Sequence, residues 1–199
     1  MLIDSHCHLY MLENTDEGRN LDAVMAAAQG QDVQQMLCVC VDLAGFERVL
    51  AIAKKYPNVH CSVGVHPCDI GDTVVSKDHI AQLAMAPEVI AIGETGLDYY
   101  RLESHEEEKK QKQAEAFRAQ IQAAITVAKP LIVHTRAAQA DTIRVLKEEG
   151  ADRCKGVMHC FTENFEMAQS TSKDNSMTQQ QGLFITVINT ITPKAMPII

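Results

Sequence analysis

The sequence predicts an α/β fold built on a parallel sheet. Three observations carry that prediction. Short apolar runs recur along the chain, helix-length segments separate most of them, and five of the runs close on a histidine or a glutamate. Apolar strands alternating with helices belong to sheets covered on both faces. Two architectures meet this pattern, a doubly wound open sheet and a closed (β/α)₈ barrel. A barrel typically takes about 250 residues. The chain has 199, and its seven candidate strands are one fewer than a barrel needs.

The strands are expected at Leu2–His8, Gln35–Val41, Val59–Val65, Val89–Glu94, Leu131–His134, Gly156–Cys160 and Leu183–Ile188. Between them, Leu21, Val24, Met25 and Ala28 mark one helical face, and Phe46, Val49, Leu50 and Ala53 mark another. The strongest helix is expected from Ser104 to about Ala128, with Ala114, Phe117, Ile121, Ile125 and Ala128 at spacings of three and four. Ser104 and Glu107 form a capping box, Glu106–Glu108 complement the dipole at that end, and Pro130 follows the expected stop. The charge run HEEEKKQKQ reads as a solvated helix face. Residues 1–199 form one domain, of which 169–199 is a divergent tail. Its stretch Gln169–Gln181 is polar and turn-prone, with no apolar stripe.

Composition narrows the function. The net charge is −8, from 18 basic and 26 acidic residues. Binding to nucleic acid by bulk electrostatics is thereby excluded, although bound cations can supply local positive charge. Aromatic residues make up 5% with no Trp, too few for an extensive base-stacking surface. The seven cysteines are odd in number and contain no C-x-x-C, which argues against a disulfide framework or a zinc ribbon and for a reducing cytoplasm. No apolar run reaches the length of a membrane span, and no signal peptide or obligatory protein partner is evident.

The candidate site comes from where the polar residues fall. His6 and His8 end the first strand, where a spacing of two puts both on one face with Asp4, and Cys7 on the other. His66 follows the third strand, Glu94 ends the fourth, His134 the fifth and His159 the sixth. His60, His79 and His105 do not share this position. Active sites of parallel α/β folds collect at the carboxyl ends of strands. Imidazoles and a carboxylate suit divalent first-row cations, and five ligands exceed the need of one ion. A carboxylate can bridge two ions about 4 Å apart, an arrangement used in phosphoester hydrolysis.

The segments MLIDSHCHL, VGVHP, AIGETGLDYY, PLIVHTRAA and GVMHCFT occur in that order, and over residues 1–168 the chain resembles the TatD family of metal-dependent deoxyribonucleases, of the amidohydrolase-type barrel superfamily. The resemblance implies a TIM-type (β/α)₈ barrel, one or two divalent cations (Mg²⁺, Mn²⁺ or Zn²⁺), and hydrolysis of DNA phosphodiesters from an end. It implies His6, His8 and Glu94 at one metal position, and Glu94, His134 and His159 at the other, with Glu94 bridging. It also implies catalytic roles for Glu94, His66 and Asp98, with Tyr99 and Arg136 contacting phosphate or sugar.

One departure accompanies the match. The family carries an aspartate in an E-T-D-S-P-type segment near the end of the barrel, and the sequence has none. The expected fold is therefore a barrel incomplete at its C-terminal end, with about seven strands. A missing strand leaves two unpaired sheet edges, through which copies could self-associate. A lost aspartate weakens the hold on a cation and removes a base. Two further readings follow: an amide- or ester-cleaving hydrolase such as a deacylase, or an inactive metal-binding remnant.

Overall fold

The computed structural model describes residues 1–14, 20–103, 105–161 and 166–167. Six parallel strands lie in the order β1-β2-β3-β4-β5-β6: β1 Leu2–Cys7, β2 Val33–Cys38, β3 Val59–Val63, β4 Val89–Asp98, β5 Leu131–Arg136 and β6 Gly156–Met158. A doubly wound sheet reverses its strand order at a switch point. Here the order never reverses, so the sheet is a run of consecutive staves of a barrel. The expected seventh strand at 183–188 and the polar stretch at 169–181 lie outside the described residues. Among the described residues, β1 and β6 pair on one side only.

Five α-helices are described: α1 Leu21–Gly30, α2 Phe46–Lys55, α3 Lys77–Leu83, α4 Glu107–Val127 and α5 Gln139–Glu148. Asn20 starts α1 by accepting the Asp22 amide at 2.9 Å, and Ser76 starts α3 through the His79 amide. The α2 face runs as expected through Phe46, Val49, Leu50 and Ala53, all buried. Among the described residues, no helix is long and apolar enough to cross a membrane.

Two expectations for α4 need correction. The helix starts at Glu107, three residues after Ser104, which lies outside the described residues. The preceding turn is closed instead by Glu106, whose carboxylate accepts the Glu103 amide at 2.8 Å. The buried face is also rotated. It comprises Gln113, Ala116, Phe117, Gln120, Ile121, Ala123 and Ala124, while Ala114 and Ile125 are half-buried and Ala128 is exposed. An apolar-only count passes over two glutamines that the fold buries. The charged stretch does face solvent, with Lys110–Glu107 at 2.6 Å and Lys112–Glu108 at 3.3 Å.

The strands sort their side chains onto two faces. Leu131 and Val133 join the large core beneath the helices, while Ile132, between them, joins Val39 and Ala91 in a small separate cluster. By the period of two, His134 shares the face of Ile132, and His159 that of Val157. The site is therefore on the face opposite the helices. The fourth strand corrects another expectation: β4 does not stop at Glu94 but continues to Asp98, pairing Gly96 with His134 and Asp98 with Arg136. Gly93 and Gly96 make this continuation possible. Their φ values are 131° and 143°, a region other residues rarely enter.

Candidate metal centre

Glu94 is the hub. It is only 4% exposed, and its two oxygens face different histidines. Oε2 lies 3.2 Å from His6 Nε2. Oε1 lies 3.2 Å from His134 Nδ1 and 3.9 Å from both His66 Nε2 and His159 Nε2. Burial alone would raise the carboxyl pKa. The facing His134 and His6 more than offset it and hold Glu94 far below the usual carboxylate range. The donor atoms fall into two compact groups, His6–Glu94–His159 and His66–Glu94–His134.

Each imidazole is set by its neighbours. His6 and His159 stack with centroids 3.4 Å apart and planes 6° from parallel. His6 Nε2 is buried without a hydrogen-bond partner although Glu94 is close. A buried ring nitrogen beside a carboxylate and a second imidazole, with no hydrogen bond of its own, is a donor set that fits a divalent ion. His134 sits between two carboxylates, with Nδ1 on Glu94 and Nε2 2.9 Å from Asp98 Oδ2. Burial would lower its pKa, but Glu94 and Asp98 raise it. His66 Nδ1 accepts the Cys68 amide at 3.1 Å, so in neutral His66 the proton rests on Nε2, the atom facing Glu94.

His8 lies outside both groups. Its ring stands 5.0 Å from His6 at 80°, and its Nδ1 is 2.9 Å from the Val39 carbonyl. A carbonyl only accepts, so Nδ1 carries the proton and Nε2 keeps its lone pair. The residue grouped with His6 and Glu94 is His159, in the place the family resemblance gives to His8. Cys7 turns away, its thiol donating to the Leu37 carbonyl at 3.3 Å. Tyr99 is held at the rim with its hydroxyl 3.1 Å from Asp141 on α5, an engaged group and not a free one. Arg136 is exposed and lies against the ring of Tyr100.

Three imidazoles are shifted downward. Burial, with His6 second, pushes His159 to about 4; burial also lowers His66 and His8. For these groups the native state binds fewer protons than the unfolded chain below about pH 6.5. Their stabilisation is present above that pH and is lost as pH falls. Glu94 adds loss in the same direction below its unfolded pKa, while His134, raised, opposes it. In chelator, the urea midpoint is expected to fall between pH 7.5 and pH 5. A midpoint that rises on acidification would contradict this.

Sequence reasoning missed two residues that position the site. Gln113 is buried on α4 and clasps Asp98 through both backbone groups: it accepts the amide at 2.8 Å and donates to the carbonyl at 3.0 Å. Gln120, one heptad on, treats Val65 identically at 2.8 and 3.1 Å. These are the residue beside His66 and the residue that holds His134. Two glutamines seven apart within an apolar helix stripe were the available signal. Gln120→Leu, similar in volume, strands two buried backbone groups and is expected to cost about 2–4 kcal/mol by urea unfolding. A cost under about 0.5 kcal/mol would show that the clasp carries no load.

Comparison with known proteins places this geometry. A family model described as TatD related DNase matches residues 3–197. The chain is 42% identical over 167 residues to the "Uncharacterized metal-dependent hydrolase YcfH" of Escherichia coli, covering 84% of this chain and 61% of that one. It is 34% identical over 161 residues to the "3'-5' ssDNA/RNA exonuclease TatD" of Salmonella typhimurium, covering 80% and 60%. Among solved structures, a hydrolase TatD family protein from Entamoeba histolytica superposes with a TM-score of 0.70 at 27% identity, over 83% of this chain and 60% of that one. The chain thus spans about three fifths of the length of these relatives.

Proposed function

This chain belongs to the family of TatD-related DNases, and from that membership we propose that it hydrolyses DNA phosphodiester bonds, from an end, with one or two divalent cations, Mg²⁺, Mn²⁺ or Zn²⁺. The observation that carries the proposal is Glu94, a buried ionised carboxylate shared by two groups of histidines. His6, Glu94 and His159 would hold one cation, with His8 Nε2 available beside them, and Glu94 with His134 would hold a second. A divalent cation there would supply positive charge to a phosphate and acidity to water.

The chain's own residues do the remainder. Glu94, kept ionised and held far below the usual carboxylate range, supplies negative charge as a ligand and is a weak base. Asp98 accepts from His134 Nε2 and fixes that ring, while its own backbone is fixed by Gln113. His66 presents Nε2–H, so in its neutral form it donates a hydrogen bond to a phosphate oxygen and is unsuited to be the base. The name of the Salmonella relative supports the exonuclease reading, and the metal-dependent hydrolase relative supports the broader class.

The test uses the purified full chain with Mg²⁺, Mn²⁺ or Zn²⁺ and end-labelled single- and double-stranded DNA. Progressive shortening that chelator stops is the expected outcome. Folded protein that shortens no DNA with any of the three metals would refute the proposal for this chain. Cleavage of small amides or esters in its place would favour a deacylase-type reading.

A further inference from the structure

Tyr100 and Arg136 stand two residues beyond Asp98 and His134, on neighbouring strand ends. Their backbones are tied to the site. The Tyr100 amide donates to Asp98 Oδ1 at 3.0 Å, and the Tyr99 amide donates to the Arg136 carbonyl at 2.9 Å. The Arg136 guanidinium lies over the Tyr100 ring with its carbon 3.6 Å from the centroid. Tyr100 is nevertheless 61% exposed, one of the few large hydrophobic side chains left in solvent.

Neither side chain is part of the core. Arg118 and Arg144 are paired with carboxylates of α5 and its C-terminal end. Arg136 has no carboxylate partner among the described residues, although the chain carries an excess of acids. Tyr99, the neighbouring aromatic, has its hydroxyl on Asp141 and its ring beside Lys110. The outward Tyr100–Arg136 pair is thus a pre-stacked surface, its guanidinium without a carboxylate partner among the described residues, next to a buried carboxylate–imidazole cluster.

Such a surface suits one ligand chemistry. Nucleobases stack on aromatic rings and guanidinium planes, and a guanidinium edge matches a phosphate through paired donors. A base within a duplex already has both faces covered, whereas an unpaired base has a face to offer. Resting on the nuclease reading above, we infer that Tyr100 backed by Arg136 is a stacking platform for an unpaired base of the nucleic acid whose phosphate meets Glu94.

The experiment measures binding, independent of turnover. Single-stranded oligonucleotides carrying 2-aminopurine at one end or the other are titrated with the full chain, once in EDTA and once in Ca²⁺. Quenching of the probe reports stacking, and anisotropy reports affinity. Wild-type protein and Tyr100→Phe are expected to quench. Tyr100→Leu is expected to lose the quench and to bind about tenfold more weakly, with blunt duplex affected less than about twofold. The side chain is exposed, so an unchanged melting temperature verifies folding of the variant. If the wild type binds the oligonucleotides and Tyr100→Leu binds and quenches equally, the platform is refuted while the nuclease reading stands. If the wild type binds neither single strands nor duplex, the nuclease reading fails and takes the platform with it.

Discussion

Glu94→Gln is expected to fold and to lose more than about 100-fold in divalent-cation affinity, since outer supporting residues alone are typically worth 10–100-fold. The carboxylate is the only side chain common to both groups of donor atoms. Glutamine keeps its shape and removes its charge. His134 keeps Asp98 as a partner, so the neighbourhood does not collapse with the substitution. Cation binding to the native state stabilises by about 2.7 kcal/mol at 100 times Kd. In a protein of this size that is a rise of roughly 5–10 °C in melting temperature. Wild-type protein should show the rise with Mn²⁺ or Zn²⁺, and Glu94→Gln should show almost none at the same concentration. An undiminished rise in the variant would place the cations elsewhere. DNA shortening should vanish with the same substitution, and persistence would point to a contaminating nuclease.

Gly96→Ala should be the most damaging of the glycine-to-alanine changes among the described residues. A Cβ built there meets the His134 carbonyl oxygen at 1.9 Å, and the residue has φ +143°. Retreat is blocked because Gly96 is the register partner of His134 across β4 and β5. The cost is expected to be about 4 kcal/mol or more, from strain and overpacking together. A domain of this kind has about 5–15 kcal/mol in total. Gly30→Ala is the control, since nothing lies within 4 Å of its Cβ and it ends α1. It should be neutral or stabilise by up to about 1 kcal/mol. Urea unfolding midpoints compare the two directly. Equal midpoints would mean that the close approach of β4 to β5 is not what limits this position.

Much of this was legible from residue order. The parallel sheet followed from the alternation of apolar runs with helical stretches, and six of the seven expected strands have counterparts. The gathering of His6, His66, Glu94, His134 and His159 followed from their position at or near strand ends, a property of topology that a linear pattern preserves. What escaped was whatever depends on orientation. Periodicity does not reveal that a strand continues past Glu94, because glycine usually weakens or interrupts strands and here permits one to go on. The pairing of His6 with His159 joins the two ends of the described sheet, and no local spacing encodes it. His8 turns toward Val39 because a carbonyl happens to lie 2.9 Å away. The role of Gln113 and Gln120 was hidden because polar residues on a helix are counted as outward by default.

Those glutamines make α4 a ruler. Seven residues of helix measure about 10.5 Å. The ruler is read at one mark by Val65 and at the other by Asp98, so the separation of the His66 corner from the Asp98–His134 pair is set by a rigid rod. The loop at 67–76 is relieved of that duty. A one-residue insertion between Gln113 and Gln120 would instead turn one mark about 100° away from its strand. Strictness in this fold therefore extends beyond the site itself, along a helix that touches none of the donor atoms.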